Sequence, residues 1–175
     1  MSTKKSKIEH LIQEYLIDEG ILKERSPDPK SELDFGFIFT FPPGPGPNSQ
    51  KMSVFKPKNK SYLIIAIRTE ISKSQINALN SGKENKVFQF FSDLRKFLLI
   101  KEVYFRINAK TYRFEIHKQF FPDRDEYISK NSFYEGIQKV YYCFFYASIL
   151  LSEHCSGKEI PSKTFGPEFD LSLYS

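Results

Sequence analysis

Apolar residues recur along this chain with two periods, and the switches between them mark out its elements. Ile8, Leu11, Ile12, Tyr15 and Leu16 stand at helical spacing with Glu9, Gln13, Glu14 and Asp18 between them, which predicts an amphipathic helix stopped at Gly20. The stretch 26–29, Ser-Pro-Asp-Pro, then breaks regularity, because each proline lacks an N–H and pushes the residue before it toward extended backbone. From 33 to 41, Leu33, Phe35, Phe37, Phe39 and Phe41 alternate with Asp34, Gly36, Ile38 and Thr40, the period of a strand with one buried face. The Pro- and Gly-rich segment 42–48 cannot continue a ladder. Segments 52–56 and 62–69 supply two further strands across the polar turn 58–60, making an antiparallel meander of three.

Ser72 followed by Gln75 has the form of a capping box and opens a short helix that Gly82 ends. A longer helix over 83–99 carries Val87, Phe90, Phe91, Leu94 and Leu98 on one face. Segments 103–108 and 111–117 flank Ala109 and Lys110 as a hairpin, with Tyr104, Arg106 and Asn108 alternating with Val103, Phe105 and Ile107. Ser132 and Glu135 open a last helix over 133–155, closed by Gly157. Between 140 and 151 that helix is apolar around much of its circumference, so it needs cover on more than one side: the sheet is one cover, and a second subunit is the expected other. The expectation is one α+β domain over 1–157, an antiparallel sheet of about five strands with helices packed on it in the order α-β-β-β-α-β-β-α. Residues 158–175 read as an extended C-terminal tail.

Composition sharpens this picture. Eighteen Phe and ten Tyr with no Trp in 175 residues make aromatic rings the main packing material of a single core. The apolar run 140–151 is well short of the roughly 20 residues that span a bilayer, and the hydrophilic first seven residues lack the pattern of a secretory signal. Cys143 and Cys155 fall on one helix, roughly 18 Å apart at 1.5 Å per residue, which forbids a disulfide between them. Free thiols suit a reducing compartment, so a cytoplasmic, membrane-free protein is expected. The formal net charge is +5, with seven Lys and Arg against three Asp and Glu over 61–101, a bias that suits solubility and could attract an acidic partner.

The stretch 26–29, the run Asp34-Phe35-Gly36-Phe37 and the apolar face of 90–99 sit within an order of helix, three strands, helix, two strands and helix. The order, over about residues 5–155, resembles the small α+β fold of type III secretion chaperones, and the three local stretches resemble the hydrophobic signposts of uncharacterised archaeal families that share it. The resemblance implies a dimer-forming module that binds other polypeptides through exposed apolar grooves, without catalysis. Those chaperones tend to be acidic and this chain is basic, so their clients do not carry over.

Candidate chemistry is sparse. His10, His117 and His154 lack the spacing that puts two metal ligands on one face, and no Cys-x-x-Cys occurs. His154 is placed to favour a helix dipole. The acidic cluster Asp123, Asp125 and Glu126 lacks the Gly and distal Glu of a calcium loop and reads as a solvated turn. There is no phosphate-binding loop and no nucleophile elbow, so no cofactor, metal or catalytic residue is assigned.

Two surfaces remain. Tyr141, Phe145 and Ser148 on the last helix, with Pro43 and Pro45 in the proline loop, are the candidate protein interface. Tyr104, Arg106, Arg113 and Lys118 on the hairpin are candidate nucleic-acid contacts, since rings beside cations can stack bases and neutralise phosphates. The leading expectation is a non-enzymatic, homodimeric protein-interaction module, chaperone-like or adaptor, with an unknown protein client. The alternative is a single-stranded nucleic-acid-binding protein. A third reading is an enzyme with an unfamiliar site that gathers Asp123, Asp125, His117 and a cation.

Overall fold

The computed structural model describes residues 6–26, 32–46, 48–81, 86–124 and 126–156. Helix α1 (Lys7–Asp18) begins where Ser6 Oγ accepts the Glu9 N–H and ends at Gly20, whose positive φ of 64° lets its own N–H and that of Ile21 return to the carbonyls of Ile17 and Leu16. Six strands follow in one antiparallel sheet: β1 (Leu22–Arg25), β2 (Leu33–Phe41), β3 (Gln50–Pro57), β4 (Leu63–Glu70), β5 (Tyr104–Asn108) and β6 (Arg113–Phe120). Between β4 and β5 lie α2 (Lys73–Asn80) and α3 (Lys86–Ile100), and α4 (Lys130–Ser156) closes the described chain. The α+β class and the antiparallel sheet are as the alternation predicts, with β1 as an additional strand.

The strand order is β1-β2-β3-β4-β6-β5, so the hairpin of β5 and β6 joins the meander through β6. Helix α4 lies across β4 and β6, α3 against β5, and α1 against β1 and β2. Alternation then decides each side chain's environment. Phe35, Phe37 and Phe39 of β2, Ile65 and Ile67 of β4, and Phe114 and Ile116 of β6 are buried in the single core beneath the helices. The opposite parity faces away from the helical layer.

The core is as aromatic as the composition demands. Phe39, Phe90 and Phe133 are fully buried, and Phe90 meets Phe91 and Phe114 at 5.0 and 6.4 Å between ring centroids. Tyrosine hydroxyls tie α1 to α4 and to the segment just before it: Tyr134 of α4 donates to the Tyr15 carbonyl at 2.6 Å, and Tyr15 donates to the Ile128 carbonyl at 2.9 Å. Gly136 lets α4 descend onto the sheet, since a Cβ there would overlap the Phe120 ring. The capping box expected at Ser72 and Gln75 is present, with Gln75 N–H donating to Ser72 Oγ and Ser72 N–H to Gln75 Oε1.

Cys143 is buried and Cys155 half-buried, both with free thiols, and burial pushes both pKa values up. No helix among the described residues is long and apolar enough to cross a membrane. Gly82 and Gly157 at the expected helix ends, Asp125 of the acidic cluster and the tail 158–175 lie outside the described residues.

Candidate functional site

The outward face of α4 is the first surface of note. The helix buries Ile137, Val140, Phe144, Ala147 and Leu151 toward the sheet, and turns Tyr142, Phe145 and Ile149 outward at 58%, 40% and 44% exposure. Spacings of three and four place these three on one stripe, flanked by Gln138 and Ser152, which are also exposed. On one side α3 runs alongside, with the Phe97 ring stacked on Tyr146 at 3.8 Å. On the other side lies the proline loop.

That loop is tied to α4. The Tyr141 hydroxyl donates to the Asn48 carbonyl at 3.0 Å, and its ring meets Phe41 edge-on at 5.3 Å. Within the loop, Ser49 Oγ donates to the Pro42 carbonyl and Ser49 N–H to that of Gly46. Phe145 stacks on Tyr141 at 6.2 Å between centroids, so a line of rings runs from the strand end through the loop anchor to the outward stripe. Of the residues singled out from sequence, Phe145, Pro43 and Pro45 are exposed along this line. Tyr141 is buried beneath it as the anchor, and Ser148 is half-buried, its hydroxyl donating to the Phe144 carbonyl. Tyr142 and Ile149 were not singled out. Their relation to Phe145 is visible as spacing, but a helix that reads apolar on all sides does not reveal which stripe is left uncovered.

The second surface is the sheet face away from the helices, where register builds a three-by-three grid. Ala66, Arg68 and Glu70 on β4 stand beside His117, Glu115 and Arg113 on β6, which stand beside Tyr104, Arg106 and Asn108 on β5. Arg68 pairs with Glu115, and Arg113 donates to Glu70 Oε2 through Nε at 3.1 Å and Nη2 at 2.9 Å. His117 is buried under Tyr104, their rings parallel within 10° at 5.5 Å. Its Nδ1 lies 3.2 Å from Glu115 Oε1, close to it but not aligned as a hydrogen bond. The His117 side chain, and then Arg68, hold the Glu115 carboxyl down to about 2 although burial opposes them. A cleft of about 580 Å³ opens among Arg68, Glu70, Arg106, Arg113 and Glu115.

Tyr104, Arg106 and Arg113 therefore share one face. Lys118 does not: it has the parity of Phe114 and Phe120, faces the helical side, and its Nζ lies 5.1 Å from the Phe120 ring centre. Arg113 and Lys118 are five residues apart in one strand, and an odd separation puts them on opposite faces. Arg68, Glu115 and His117 complete the grid and were not grouped by sequence, because cross-strand neighbours depend on β6 pairing with β4.

The remaining candidates have local roles. Asp123 Oδ1 accepts the Tyr127 N–H at 2.8 Å and closes its own turn. His154 is buried in the last turn of α4, edge-on to Phe90 and with Nε2 3.5 Å from Asp93 Oδ2. Among the described residues no group of three or more His, Cys, Asp or Glu is placed to hold a metal ion.

Among the described residues, a six-stranded antiparallel sheet with four helices on one side defines a two-layer α+β protein. The chain belongs to the family described as "Uncharacterized conserved protein (DUF2299)", which matches residues 8–151. Its fold is similar to that of a solved structure described as an uncharacterized protein from Methanothermobacter thermautotrophicus, with a TM-score of 0.71 over 83% of this chain and 97% of that one, at 18% identity. No curated protein matches the chain.

Proposed function

We propose that this chain is a non-enzymatic protein-interaction module that forms a homodimer through the outward stripe of α4. The observation that carries the reading is the exposure of Tyr142, Phe145 and Ile149 on one face of the longest helix, beside the exposed Pro43 and Pro45. The partner that fits the stripe is a second copy. In an antiparallel pairing about a two-fold axis near Phe145, Tyr142 meets Ile149 of the partner copy. The same axis brings Lys139 to Glu153 of that copy, since the two pairs have nearly the same midpoint along the helix. Lys139 and Glu153 flank the stripe on its α3 side, and a two-fold axis in the interface plane keeps that side matched to itself. The resemblance of the element order to secretion chaperones, which implies dimerisation and polypeptide binding, supports the same reading.

Light scattering after size exclusion tests it. The expected mass is twice the chain's 20.5 kDa, with Phe145→Glu giving a folded monomer. Lys139→Glu is expected to weaken the dimer, and Lys139→Glu with Glu153→Lys to restore it. A monomeric wild type, or a dimer indifferent to Phe145→Glu, defeats the proposal.

A further inference from the structure

The open sheet face offers a chemistry that the α4 stripe lacks: an exposed aromatic plane beside a guanidinium with no ion-pair partner. Tyr104 lies on the edge strand β5, 56% exposed, with one ring face covered by His117 and the other free of any described ring. Arg106 is the next same-face residue of that strand, roughly 6.8 Å further along at about 3.4 Å per residue. That spacing is close to the separation of base and phosphate within one nucleotide.

The other charges around Arg106 are already engaged. Arg68 holds Glu115, whose second oxygen faces His117, and Arg113 holds Glu70. Among the described residues Arg106 alone of the three arginines has no ion-pair partner, although Glu115 stands opposite it in register. The cleft thus contains three guanidiniums and two carboxylates, and its uncompensated charge is the guanidinium nearest the aromatic plane. Exposed Lys110 in the adjoining turn adds a cation at the rim, with its N–H held by Asn108 Oδ1 at 3.1 Å.

We infer that this face binds single-stranded nucleic acid, a base stacking on Tyr104 and its phosphate bound by Arg106 at the cleft. A flat ring and a free cation within one nucleotide's reach favour a nucleobase over an acidic peptide, which would use the charge and leave the ring idle. The site lies on the sheet face opposite the helical layer, so it is independent of dimer formation.

Fluorescence anisotropy with labelled oligouridylate and oligodeoxythymidylate tests the inference on the full chain. Binding is expected at about 0.05 M salt, falling at least several-fold by about 0.2 M. Tyr104→Ala is expected to weaken it roughly tenfold. Arg106→Ala weakens it and reduces the salt slope by about one. Phe145→Glu leaves it unchanged, which separates failure here from failure of the dimer. Retained thermal unfolding of the Arg106 variant shows that lost binding is not lost folding. No anisotropy change at low salt, or binding that both variants leave intact, overturns the inference. So does displacement by polyglutamate, or by uridine monophosphate, as effective as that by unlabelled oligomer.

Discussion

Gly136 shows how much one missing methyl group decides. It sits in the interior of α4, where glycine costs roughly 1 kcal/mol against alanine by propensity alone. The structure supplies the compensation, because the Phe120 ring occupies the space that a Cβ would need. Gly136→Ala should therefore destabilise the protein by about 1–3 kcal/mol, despite its better propensity, through displacement of Phe120 and its strand end. Thermal unfolding of the variant checks this, and a raised midpoint would mean that the ring moves aside freely. The sequence offers the glycine and the aromatic but not their meeting, since sixteen positions separate them and only the packing of α4 on β6 brings them together. Lys118 is the converse case, because its face follows from counting residues along β6.

Elements with a strong period were legible and the weak one was not. The five alternating apolar residues of β2 and the helical spacing of α1 declare themselves, because in each a buried stripe repeats at the period of the backbone. Strand β1 has no such stripe: Leu22 is half-buried and Lys23, Glu24 and Arg25 are exposed. It exists because β2 offers an edge, and its register slips between Leu22 and Glu24. Short, charged and irregular edge strands of this kind resist pairing with other chains. Native-state hydrogen exchange should accordingly find the amides of β1 among the least protected in the sheet and those of β3 and β4 among the most. Equal protection across β1 and β4 would show that the edge is held by more than its ladder.

At the scale of the molecule, the sheet separates two surfaces with different physics. One side is the aromatic core under the helices, with the α4 stripe beyond it. The other is the ion-paired grid, whose Glu115 links folding to pH. Its carboxyl is held at about 2 in the folded protein against an ordinary 4.5. The stabilisation is thus fully present above about 4.5 and is lost as pH falls from there toward 2. Urea unfolding from pH 6 to pH 3 should show stability declining on acidification, and Glu115→Gln should flatten part of that decline. Parallel declines in the two proteins would mean that this carboxylate adds nothing to acid sensitivity.

The sequence by itself determined the α+β class, the antiparallel meander, the aromatic core and the common face of Tyr104 and Arg106. Those are consequences of backbone period, and a period is written in the order of residues. Only the tertiary structure decided that β6 and not β5 joins the meander, and that Arg68 therefore reaches Glu115. It also decided that Tyr141 is an anchor while Phe145, four residues on, faces outward. These outcomes rest on contacts between residues far apart in the chain, where burial depends on which elements meet and not on the pattern within either.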